Sequence, residues 1–331
     1  MSERLRGREA EVPCDIPVRG WLDIAWRVKQ QMEAHRITML TAGVAFYALL
    51  ALFPAIAAMI SLWGLLFDPY DIIRQLNELS RLMPPNAATL IDEQAQQLIE
   101  EIEIGSGITA VLGTFLAIFV ASKGVAGLVV GLNVVYGQVE RRSLTKRILV
   151  VAALTFGLLG ITLLTLGFIA LFPLAVNMLG IHSPYDRIVG WLRWPPLLVL
   201  MSVMIALLYR FAPYRRAPRW QWLSVGTLVA TGLWLLSSGG LSLYVRYFAN
   251  FSELYGSLGA VVVLMLWFWL SAFVILLGAE INCQMERQTR VDTTVGEPRP
   301  MGERKAHAAD TLGPMHPWQK PTHHLPSDDD G

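Results

Sequence analysis

Six long apolar runs, at 40–67, 108–135, 148–172, 190–211, 222–245 and 257–283, fill most of the chain between residues 40 and 283. A bilayer core about 30 Å thick is crossed by roughly 20 apolar residues in a helix, and every run reaches that length. Composition agrees, since 54% of the residues are hydrophobic and 16% charged, well to the apolar side of soluble averages. These runs predict an all-α, polytopic membrane protein with six transmembrane helices.

Lys and Arg alternate from side to side between the runs. The first 39 residues carry seven (Arg4, Arg6, Arg8, Arg19, Arg27, Lys29, Arg36), 136–147 four, 210–221 four and the stretch from 284 six. The intervening connections carry two at 68–107, two at 180–193 and one at 246–256. One face thus holds 21 basic residues against 5, and basic loops stay cytoplasmic. The pattern predicts a multi-pass protein of the bacterial inner membrane with both termini in the cytoplasm. The formal net charge of +1 hides this asymmetry and gives no argument for nucleic acid as a partner; membrane lipids are the expected one. The first apolar run starts too late and is too long for a cleavable leader, so the first span itself is expected to direct insertion. Cys14 and Cys283 both fall on the cytoplasmic side, where thiols stay reduced.

Outside the spans, residues 1–19 read as a cytoplasmic segment. Residues 20–38 set Trp21, Ile24, Ala25, Val28 and Met32 against Asp23, Arg27, Lys29 and Glu33, the pattern of an amphipathic helix lying in the interface. Pro54 in the first span predicts a kink. The 68–107 connection contains two amphipathic patterns divided by Pro84-Pro85, with Asn86 placed to cap the second. It predicts a periplasmic helical hairpin with an acidic surface. Residues 20–285 form the transmembrane domain, and 286–331, rich in Pro, charge and His without periodicity, read as a disordered cytoplasmic tail.

Within the spans, polar residues stand out. Lys123 lies about 22 Å down its helix at 1.5 Å per residue, near mid-membrane. It either faces the bundle interior or a wet cavity, or snorkels toward the headgroups. Gly124, Gly127 and Gly131 beside it give a small-residue face suited to close helix packing. Glu280, about one turn from the inner end of its span, is expected to pair with Arg210 at the same depth, with a substrate or proton role as the alternative. Asn133 reads as an interhelical hydrogen-bonding residue. Lys123, Asn133, Glu280 and Asn282 together make the candidate intramembrane polar site. Tyr47, Tyr136, Tyr209 and Tyr255 fall at depths typical of an aromatic belt. No zinc-protease helix, P-loop, nucleophile elbow or paired-cysteine motif occurs. Four of the six histidines lie in the tail, leaving His35 and His182 on opposite sides. No catalytic residue, metal site or cofactor is expected, and the chain reads as a non-enzyme.

Three stretches resemble the YihY/virulence-factor BrkB family, once labelled ribonuclease BN: AGVAFYALLALFPAI at 42–56, SKGVAGLVVGLNVVYG at 122–137 and the long segment 247–282. The last is the most specific, with Tyr255-Gly256-Ser257, Trp267 and Gly278-Ala279-Glu280-Ile281-Asn282. The resemblance covers roughly residues 20–285. It implies a six-span inner-membrane protein of a family linked to envelope integrity and to transport of lipid or lipopolysaccharide precursors. The nuclease label was a misassignment, and the resemblance brings no catalytic residues with it. The expected function is a transporter or flippase for an amphiphilic envelope component. The alternative is a non-transporting envelope scaffold, and a membrane-bound ribonuclease is disfavoured.

Overall fold

The computed structural model describes residues 6–64, 107–178, 194–247 and 258–316. Within them lie α1 (Val18–Ala34), α2 (Ile37–Gly64), α3 (Gly107–Val135), α4 (Leu144–Met178), α5 (Trp194–Phe211), α6 (Trp220–Tyr247), α7 (Leu258–Glu286) and a single turn, α8 (His307–Asp310). Among the described residues the β structure is one isolated bridge, Pro218 to Thr294. Hydrocarbon leaves no water for backbone groups, so a chain this apolar satisfies them inside helices. Five stretches are long and apolar enough to cross a membrane: Thr114–Val135, Leu144–Ile169, Trp194–Phe211, Trp220–Tyr247 and Leu258–Glu286. α1 and the first part of α2 meet at a 63° bend and bring the number to six if taken as one broken span. The protein is a polytopic, all-α membrane protein.

α2 runs through Pro54 as one helix. α5 opens on Trp194-Pro195-Pro196, placing both prolines in a first turn whose N–H groups have no partner in any case. α2 lies along α3, α7 packs against α6 and α2, and α5 sits beside α4 and α6. The core gathers where Ile37, Leu132, Tyr136, Ile205, Tyr209, Leu223 and Leu276 converge. That end also holds α1 and the described segments 6–17 and 287–316, and we call it the basic end. Away from it, Phe115, Leu164, Leu228 and Leu236 are exposed, as lipid-facing side chains are. The small face of α3 is turned to protein: a Cβ on Gly127 would sit 3.5 Å from Val44 and one on Gly131 3.1 Å from Leu276. The tightest approach joins α6 and α7. A Cβ on Gly226 would strike the Gly278 carbonyl oxygen, and one on Gly278 would meet Tyr209 Oη at 2.5 Å and Ala230 Cβ at 2.8 Å.

The structure corrects the reading of α1. Asp23 and Arg27, expected on its water face, are 0% and 1% exposed, whereas Ala25 is exposed. The helix turns these charges inward because partners wait there: Asp23 accepts from Arg6 Nη1 at 3.0 Å and from the backbone N–H of His316 at 3.0 Å. The tail is also corrected, since residues 287–316 are folded onto the basic end. Arg304 donates to the carbonyl oxygens of Arg290, Val291, Arg299 and Ala309. Thr293 and Val295 exchange backbone bonds with Arg219 and Ala217. Hydrogen bonds rather than an apolar face hold this segment, so hydrophobic periodicity gives no sign of it. Residues 68–106 of the expected hairpin, with Asn86, the 179–193 connection with His182, Tyr255 and residues 317–331 lie outside the described residues.

Candidate functional site

Glu280 is fully buried in the penultimate turns of α7. Its Oε2 lies 3.2 Å from His35 Nδ1 at the α1–α2 bend, and its Oε1 accepts from Gln284 Nε2 at 2.8 Å. The bonding continues outward. Arg27 donates from Nε to Gln284 Oε1 at 3.0 Å, and from Nη2 to the Gln284 carbonyl at 3.0 Å and Gln288 Oε1 at 2.6 Å. Burial, reinforced by the charge of Arg8, pushes the Arg27 guanidinium down to about 10. The expected pairing with Arg210 is not formed. Arg210 donates to the Pro218 carbonyl at 2.7 Å and lies over the Trp220 ring at 4.4 Å. Rise per residue fixes a side chain's height along a helix, whereas the direction in which it points is set by packing. His35, in the turn between α1 and α2, takes the place expected of Arg210.

The other members of the predicted polar site are dispersed. Asn282 accepts from the Gly226 N–H at 2.8 Å and donates to the Leu223 carbonyl at 3.3 Å, clamping α7 to the backbone of α6. Asn133 donates to Glu140 Oε2 at 3.1 Å and accepts from the Tyr214 N–H at 2.7 Å, tying α3 to the two basic loops. Lys123 is not near it. Its side chain is exposed among the described residues, in a stripe with Phe115 and Phe119, with Nζ 4.6 Å from the Phe119 ring centre. Tyr136 and Tyr209 are core residues rather than belt residues, both 0% exposed, and Tyr209 Oη donates to the Ile275 carbonyl at 2.7 Å. Tyr47 is exposed.

Two features with room for a ligand stand out among the described residues. The first is an apolar cleft of about 370 Å³ between α4, α5, α6 and α7, lined by Leu166, Trp194, Met201, Trp234, Trp267 and Phe268 among others. Thr162, Thr165 and Ser271 add hydroxyls, and Ser271 accepts from Trp234 Nε1 at 3.0 Å. A second apolar hollow of about 300 Å³ shares Ile161 with it and continues between α4 and α5 to Phe211. The second feature is a wide polar cleft at the basic end, about 940 Å³, whose wall includes Arg141, Arg142, Arg215, Arg216, Arg299 and Lys305. Arg215 pairs with Glu286 at 2.9 and 2.8 Å, both side chains 0% exposed, and lies 3.8 Å over the Tyr136 ring. Burial alone would lower its pKa, but the Glu286 carboxylate and Tyr136 outweigh that and raise it. Turned to satisfy both its amide groups, Gln138 donates to the Tyr214 carbonyl at 3.0 Å and accepts from the His307 N–H at 2.7 Å.

Sequence reasoning did not find the Arg27–Gln284–Glu280–His35 network or the basic cleft. The network joins residues some 250 positions apart, with no motif to announce them. The cleft had a partial signal in the Arg pairs 141–142 and 215–216, which charge counting assigned to topology alone. Among the described residues no three His, Cys, Asp or Glu side chains cluster as a metal site would require.

Fold and site together define a polytopic helical membrane protein with a polar, interlocked basic end. The chain belongs to the virulence factor BrkB family, whose profile matches residues 28–302. It is 29% identical over 255 residues to the ribonuclease-like protein YfkH of Bacillus subtilis, covering 76% of this chain and 90% of that one. It is 26% identical over 257 residues to a UPF0761 membrane protein of Aeromonas salmonicida, covering 76% and 85%. A UPF0761 membrane protein of Photobacterium profundum is 23% identical over 275 residues, covering 82% and 83%. No solved structure matches the chain.

Proposed function

We propose that this protein is a transporter of flippase type, and not an enzyme, acting on an amphiphilic envelope component at the bacterial inner membrane. The observation that carries the reading is the apolar cleft among α4–α7 and its continuation along α4 and α5 to Phe211. Ligand sites between bundle helices are typically apolar with a few polar groups for orientation, and this one offers aromatic and hydroxyl side chains at bilayer depth. The 21-to-5 distribution of basic residues supports placing the basic end and both termini in the cytoplasm. The non-enzymatic reading is supported by the engagement of Glu280, His35 and Glu286 in packing bonds. The test is reconstitution of the purified protein into liposomes carrying fluorescent phospholipids, with the outer leaflet then quenched by dithionite. Accelerated loss of the protected inner-leaflet signal is expected, slowed by Ser271→Trp in the cleft. A pure, folded protein that moves no labelled lipid refutes autonomous transport and leaves the scaffold reading in its place.

A further inference from the structure

We propose that the basic cleft is a binding site for a phosphate group. Six cations line it, and the acids that contact them from outside the lining balance only half of them. Glu140 engages Arg142 and Asn133, Glu286 engages Arg215, and Asp292 accepts from the N–H groups of Thr294 and Arg299 while standing 3.8 Å from Arg216. The side chains of Arg141, Arg299 and Lys305 have no partner among the described residues. Like charges gathered from three separate loops repel one another, and an anion between them removes that repulsion.

Two further observations favour a built site over a solvated basic surface. Arg215, buried in the wall, leaves Nε and Nη2 without a hydrogen bond among the described residues. Buried donors without acceptors are costly, and phosphate oxygens are the acceptors that guanidinium forks match best. Lys305 is held at φ 58°, a left-handed conformation strained for a non-glycine residue, in the turn that sets it at the cleft. Gly296, at φ +100°, leaves the chain room to pass Arg216, whose Nη2 would lie 2.5 Å from a Cβ there.

The phosphate is either a lipid headgroup or a soluble species. The apolar hollow ending at Phe211, three residues before Tyr214 in the cleft wall, suits a headgroup whose chains lie between α4 and α5. Only that assignment rests on the transport reading.

The experiment measures binding to the full chain in phosphatidylcholine nanodiscs. One arm adds phosphatidic acid to the bilayer and the other adds inorganic phosphate to the buffer. A cleft triple variant (R141Q, R299Q, K305Q) changes only side chains without partners. A control triple (R19Q, K29Q, K146Q) removes the same charge from exposed positions elsewhere. The cleft triple should weaken binding by about tenfold or more and the control by less than about threefold. Binding in the lipid arm alone identifies a headgroup, and binding in both arms a free phosphate site. Equal losses in the two triples, or no binding by the wild-type chain in either arm, overturn the proposal. Phosphate binding without lipid movement in liposomes would refute transport and leave the site standing. Lipid movement with an unaffected cleft triple would do the reverse.

Discussion

Glu280 shows how a single buried carboxylate organises its surroundings. Glu280→Gln weakens its contacts with His35 and Gln284 and should lower stability by about 1.5–3 kcal/mol, the range for hydrogen bonds to charged groups. In a double-mutant cycle with His35→Ala the losses should fall short of additive by at least about 0.5 kcal/mol, whereas with Arg210→Gln, which shares no partner with it, they should add. Coupling to Arg210 instead would restore the pairing expected from depth alone. Asn282→Ala removes both bonds to the α6 backbone and should cost about 1–3 kcal/mol. Gly278→Ala should destabilise as well, by about 1–3 kcal/mol through overpacking, because the added methyl meets Tyr209 and Ala230. Chemical denaturation in detergent micelles reads all of these. Lys123→Met should insert normally and be at least as stable as wild type, since among the described residues the amine meets an aromatic face and a deep charge is expensive. A clear loss of stability would mean that the amine makes bonds of its own.

At the level of elements, the C-terminal segment 287–316 behaves as part of the fold. Its buried Arg304, Asp292 and Thr293 are bonded to other residues of the segment or to α7, so deleting 287–331 should lower the melting temperature rather than leave it unchanged. Arg304→Met, which keeps the stem but loses four carbonyl contacts, should reproduce part of that loss. His307 adds a pH signature: burial and the nearby Arg287 hold its imidazole below the usual value. A depressed folded pKa means that its contribution is complete above about 6.5 and is lost as pH falls through the folded value. Melting curves between pH 7.5 and 5 should show a decline that His307→Gln reduces. The spans were legible in the sequence because length and hydropathy report directly on the surrounding solvent. The tail and the inward face of α1 were not, because both are held by polar groups whose partners lie far away in the chain. Asp23 and Arg27 look like a wet helix face until Arg6, Gln284 and His316 are seen to receive them.

For the molecule as a whole, the proposed orientation rests on the asymmetry of charge between the two faces. Cysteines placed at Ser143 and Glu303, both exposed, in a background lacking Cys14 and Cys283, should react with a membrane-impermeant maleimide only after the inner membrane is opened. Labelling in intact spheroplasts would invert the assigned topology. The candidate polar site was legible only in part: Asn133, Glu280 and Asn282 are all buried and bonded, but as separate fastenings rather than one constellation. The ligand-sized spaces are formed by residues that look ordinary one at a time, such as Leu166, Met201 and Arg299.

The interlock between the two ends of the polypeptide bears on how the protein is made. Arg8 accepts from the Arg290 N–H at 2.8 Å and donates to the Gly313 carbonyl at 2.7 Å, while Arg27 reaches the Pro314 carbonyl at 3.0 Å. Residues made early in translation therefore wait for partners made some 290 positions later. Until translation passes residue 316, Arg8, Asp23 and Arg27 lack their final acceptors or donors, however far membrane insertion has advanced. A nascent chain arrested before residue 284 should keep its N-terminal segment open to protease, and release of the full-length chain should close it.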